Sequence, residues 1–150
     1  MKLLIIVLLI FPCIISAQNL KKTTAEKQSD IKNDTSTAWV APKSADKEKN
    51  PLKGIIEAAR KGENLFVQNC SECHGMAGKG DGPTADLLDT KPADLSSLKV
   101  QNQSDGALFW KISNGKGAMA SYKEAFTKEQ LWQLVNYIRK IGKENKVKKK

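Results

Sequence analysis

The chain has 150 residues, a formal net charge of +9, one histidine, three cysteines and three methionines. That length suits one small domain with tails, and any metal centre must be built from very few ligands. The charge is no nucleic-acid signature: residues 61–142 carry 10 basic and 9 acidic side chains, the excess lies in the flanks, and no aromatic or arginine-rich surface accompanies the lysines.

The first seventeen residues read as a signal peptide. Lys2 precedes an apolar run from Leu3 to Ile15, and Ser16-Ala17 supplies a small residue before Gln18. The run is short for a membrane span and right for an export signal. Acylation of Cys13 is a rival reading, although Ile10-Phe11-Pro12 lacks the small residues such a site wants. Retention as an anchor is another. Residues 18–50 are polar, with Leu20, Ile31, Trp39 and Val40 the only large apolar side chains. They read as a flexible tether, of which Trp39 to Pro42 is the part able to dock.

A folded domain is expected over 51–142, followed by a basic tail, 143–150, that reads as solvated. Pro51 starts a predicted helix with apolar positions at Ile55, Ile56, Ala59, Leu65 and Phe66. Gly62 within it costs about 1 kcal/mol relative to alanine, which marks a close helix crossing. This helix leads into Cys70-Ser71-Glu72-Cys73-His74, a C-x-x-C-H run. Such a run is the attachment site of a c-type haem: two thiols three positions apart form thioethers to one porphyrin, and the next residue ligates the iron. A structural zinc site wants four N/S ligands, and the chain after residue 17 offers three. A redox dithiol sits in a βαβ setting, whereas the residues before Cys70 look helical.

The same inventory limits the iron's other face. With one histidine, a second imidazole is excluded within the chain. Met76 follows His74 too closely to reach the distal side. Met119 lies 45 residues beyond His74, in the glycine-rich Gly115 to Ala120. It is the expected distal ligand, with core filling as the bland reading of a methionine. An amine from Lys116 or Lys123, or an open iron, are the alternatives. Gly75 to Pro83 reads as a loop. Ser104 caps a predicted helix ending at Asn114-Gly115. Thr127-x-x-Gln130 is a capping box that opens the strongest helix, with an apolar stripe at Leu131, Leu134, Val135, Ile138 and Ile141 and a stop at Gly142. Trp132 and Tyr137 flank the stripe. Trp110 and Tyr122 read as core, or as neighbours of the cofactor. No strand alternation appears, so an all-α domain with long loops is expected.

From Gly62 with Phe66, through Cys70-x-x-Cys73-His74 and Met119, to Leu134-x-x-Tyr137, the chain resembles the class I mono-haem c-type cytochromes over residues 50–142. The resemblance implies a fold whose first and last helices cross at the glycine, around one covalent haem c with its iron. It implies His74 as proximal and Met119 as distal ligand. It also implies that a loop proline, Pro83 or Pro92, supports the other histidine nitrogen through its carbonyl. Gly78 to Pro83 resembles the loop after the haem motif in bacterial members. One departure is Ala120, where many relatives have proline after the methionine.

The function expected is electron transfer, not catalysis, in an exported, periplasmic redox chain. The partners are a reductase or dehydrogenase as donor and an oxidase or other acceptor, with membrane association through the N-terminus or the basic tail as an option. A five-coordinate haem protein that binds a small gas or peroxide is the alternative.

Overall fold

A computed structural model describes residues 39–147, apart from the side chain at 146. The apolar leader with Cys13, the tether up to residue 38 and the last three lysines lie outside the described residues. Among the described residues five α-helices follow in order: α1, Ile56–Asn69; α2, Ser71–His74; α3, Leu98–Gln101; α4, Asp105–Asn114; and α5, Lys128–Val147. Short 3-10 turns cover Lys43–Lys47 and Ala85–Leu87. Among the described residues there is no strand, only an isolated antiparallel bridge between Lys116 and Met119. No helix among them is long and apolar enough to cross a membrane.

The core forms where α1 and α5 cross. The α5 stripe Leu131, Leu134, Val135, Ile138 and Ile141 is buried, together with Phe66 from α1 and Leu108 and Ile112 from α4. Burying each such side chain contributes about 1.5–3 kcal/mol. Gly62 makes the crossing possible: a Cβ there would stand 2.0 Å from the Gln133 carbonyl oxygen. One turn on, Phe66 lies between Tyr137 of α5, with centroids 5.1 Å apart, and His74, at 6.5 Å. The crossing therefore fixes where the C-x-x-C-H turn sits. Trp132, 1% exposed, stacks on Phe109 at 4.2 Å and joins α5 to α4.

Caps behave as their sequences predict. The Ser104 hydroxyl accepts from Ala107 N at 3.0 Å. Thr127 and Gln130 exchange hydrogen bonds, with Thr127 N donating to Gln130 Oε1 at 2.8 Å and Gln130 N to Thr127 Oγ1 at 3.2 Å.

Three expected boundaries move. Pro51 does not open α1: Asn50 Oδ1 accepts from Leu52 N at 2.9 Å, and Gly54 takes φ +83°. These residues make a turn, and the helix begins at Ile56. The tether ends earlier than residue 50, because Val40 onward belongs to the folded unit. There Ala45 is buried, and Asn50 Nδ2 donates to Asp105 Oδ2 at 3.0 Å. Gly142 does not stop the last helix, which runs on to Val147. A Cβ at Gly142 would meet the Gln101 side chain at 2.3 Å, so glycine is there to admit that side chain.

Candidate functional site

Cys70, Cys73 and His74 occupy one helical turn at the end of α1. His74 N donates to Cys70 O at 2.8 Å and Cys73 N to the same oxygen at 3.2 Å. Both thiols are free and half-buried. Cys73 Sγ lies 3.4 Å from Thr84 Oγ1. Burial pushes the Cys70 thiol up to about 12, with the neighbouring Cys73 adding to it. The turn is laced into the loop that follows it. Gly80 N donates to His74 O at 2.8 Å, Gly82 N to Cys73 O at 3.1 Å and Thr84 N to Glu72 O at 3.1 Å. These amides satisfy carbonyls that a helix end leaves without partners.

His74 Nδ1–H donates to the Ala93 carbonyl oxygen at 3.1 Å. This corrects the expectation that Pro83 or Pro92 provides the carbonyl: the acceptor is the residue after Pro92. A backbone acceptor has no side-chain signature, and the adjacent proline was the only trace of it in the sequence. The bond fixes the tautomer and leaves Nε2 with its lone pair, free to bind a metal while the backbone carbonyl holds the ring's orientation. Burial holds the His74 pKa below its ordinary value, against the opposing pull of the Ala93 bond. The ring is therefore kept in the neutral form that binds metal.

Met119 is half-buried and packs against the main core, as Cys70 does. Its backbone pairs with Lys116 both ways, at 2.9 and 3.1 Å. By contrast, Met76 is 65% exposed. Lys116 and Lys123 are exposed as well. Tyr122 lies beside the two cysteines: its phenol is pushed up first by burial and then by the charge the thiols would carry. Its hydroxyl donates to Asn69 O, just before Cys70, at 2.9 Å. Trp110 is half-buried on α4. Among the described residues, no group of three or more His, Cys, Asp and Glu side chains is placed to hold a metal ion.

The residues present fit a covalently attached porphyrin: two free thiols on one turn, an imidazole with its other nitrogen tied, and a thioether packed on the same core. Comparison with known proteins leads to the same group. The family model "Cytochrome C oxidase, cbb3-type, subunit III" matches residues 57–138, more than half of the chain. Cytochrome c6 of Alaria esculenta is 27% identical over 77 residues, which span 51% of this chain and 84% of that protein. The cbb3-type cytochrome c oxidase subunit FixP of Bradyrhizobium diazoefficiens is 28% identical over 85 residues, 56% of this chain. The match takes in only 28% of FixP's own length. Among solved structures, a chain of the reducing HAO-like protein complex of Kuenenia stuttgartiensis superposes with a TM-score of 0.56 at 24% identity. That alignment covers 61% of this chain and 46% of the other, and it shows a shared fold. The chain belongs to the Cytochrome C oxidase, cbb3-type, subunit III family, and is an all-α c-type cytochrome whose cofactor is covalent haem c with its iron.

Proposed function

We propose that this chain is an exported electron carrier in which Cys70 and Cys73 hold the haem, His74 is the proximal ligand and Met119 the distal one. When bound, the haem supplies a single reversible electron at its iron. The chain's own part is to hold and tune that centre. The observation that carries the reading is the Cys70–His74 turn, with free thiols and with His74 Nδ1 committed to Ala93 O. Met119 is favoured over the exposed Lys116 and Lys123 because it packs against the core that Cys70 also meets. A thioether is a soft donor that favours ferrous iron and raises the potential. Two protein ligands leave no position for substrate, so the role is transfer and not catalysis. The leader Lys2 to Ala17 supports export to the periplasm, where the partners are a reductase or dehydrogenase and an oxidase or other acceptor.

The test uses exported protein from a host that matures c-type haem. Denaturing mass spectrometry is expected to show a haem increment that survives unfolding, and Cys70→Ala or Cys73→Ala to impair its attachment. Met119→Ala is expected to keep the increment, lose the methionine–iron charge-transfer band and bind CO rapidly when reduced. Normal doubly attached haem in either cysteine variant, or unchanged spectra and potential in Met119→Ala, would overturn the corresponding assignment.

A further inference from the structure

The loop that carries Met119 is fastened mainly to α4. Ser121 Oγ donates to Ser113 O at 2.7 Å, Tyr122 N to Ile112 O at 3.3 Å and Lys123 N to Ser113 O at 3.1 Å. One hydrogen bond runs the other way, from the Tyr122 hydroxyl to Asn69 O at 2.9 Å. Asn69 is the last residue of α1, so its carbonyl is among those a helix end leaves without an intrahelical partner. The next residue is Cys70. The Tyr122 ring stacks on Phe126, with centroids 5.1 Å apart and planes 5° from parallel, which sets the direction of the phenol. Ala120 leaves φ free where proline would fix it. Closure of this loop therefore depends on bonds such as this one.

We propose that Tyr122 is a positioning residue: its hydroxyl latches the Met119 loop to the end of the attachment helix and sets how often the Met119 thioether yields to another ligand. This rests on Met119 being the distal ligand. The phenol acts through the loop, since it bonds a carbonyl and not the iron. Loss of the donor shifts the loop toward its open state, and an incoming ligand's apparent affinity rises with the open fraction.

The experiment is an imidazole titration of oxidised, full-chain holoprotein followed by absorbance. Tyr122→Phe keeps the ring stack and removes the donor. A typical hydrogen bond is worth about a three- to tenfold change in such an equilibrium, so apparent imidazole affinity is expected to rise about three- to tenfold. Ser104→Ala, which removes the α4 cap away from this loop, controls for general loss of stability and is expected to leave the affinity at the wild-type value. Wild-type affinity in Tyr122→Phe, or an equal rise in Ser104→Ala, overturns the latch. Met119→Ala separates the two levels. Strong imidazole binding there, with none gained in Tyr122→Phe, defeats the latch alone. Wild-type affinity in Met119→Ala defeats the ligand assignment and the latch with it.

Discussion

Gly80 shows how a single position governs the histidine. It takes φ +74°, a left-handed conformation that side chains resist, and a Cβ there would lie 2.2 Å from the Pro92 carbonyl oxygen. Its amide donates to His74 O, and Ala93, next to Pro92, accepts from His74 Nδ1. Gly80→Ala must therefore push the Pro92–Ala93 backbone off the ring. A loss of about 1–3 kcal/mol is expected from overpacking and strain. On the proposed ligation by His74, an imidazole relieved of its acceptor is also a weaker donor to iron, so the midpoint potential is expected to rise. Denaturant unfolding and potentiometry of the holoprotein check both. Lost stability with an unchanged potential would mean that the Ala93 carbonyl does not tune the ligand. At this scale the sequence was legible where the candidate site is made of side chains at fixed spacing, as in Cys70, Cys73 and His74, which the structure brings onto one turn. It was silent on Ala93, because the group that matters is a carbonyl that any residue carries.

Among the elements, the α1–α5 crossing was the most readable, since periodicity and an embedded glycine announce it together. Two opposing effects meet at Gly62. Alanine would favour the α1 helix by about 1 kcal/mol. Its Cβ would also stand 2.0 Å from Gln133 O and 3.1 Å from Leu134 N, on backbone that cannot swing aside. A methyl group forced against rigid backbone falls at the upper end of the usual overpacking cost, about 3 kcal/mol. The second effect wins, and Gly62→Ala is expected to lower holoprotein stability by about 2 kcal/mol in denaturant titration, net of the propensity gain. A stabilised variant would show that the crossing tolerates a methyl group. Gly142 marks where this kind of reading fails. A glycine late in a periodic run has the same signature whether it ends a helix or makes room for a neighbour. The neighbour here is Gln101, whose Nε2 donates to Leu95 O, before α3, at 2.7 Å and to Ile138 O of α5 at 3.0 Å. That is a tertiary fact with no local trace.

For the molecule as a whole, the residues before α1 join α4 and α5 around the ion pair of Arg139 and Asp105. Arg139 Nε donates to Asp105 Oδ1 at 2.8 Å, its Nη1 to Gln101 O at 2.8 Å and its Nη2 to Gln103 O at 2.5 Å. Asn50 completes the Asp105 carboxylate from the other side. This junction draws the residues before α1 into the domain, and polar composition alone made them read as tether. Burial pushes the Asp105 pKa up, but the hydrogen bonds from Asn50 and Arg139 and the Arg139 charge outweigh it, and the net shift is downward. A carboxyl whose pKa is lower folded than unfolded stabilises fully above the unfolded value, about 3.9, and that stabilisation drains away as pH falls through the folded value. Asp105→Asn keeps the shape and removes the charge, which leaves the Arg139 guanidinium without its counterion. At about pH 7 the variant is expected to be less stable by about 1–3 kcal/mol. Below about pH 4 the wild type loses the same contribution and the two curves converge. Unfolding of holoprotein in denaturant across that range checks it. A gap that stays constant down to about pH 2 would mean that the carboxylate's charge contributes nothing to the junction, and that the hydrogen bonds of Asn50 and Arg139 hold it by geometry alone.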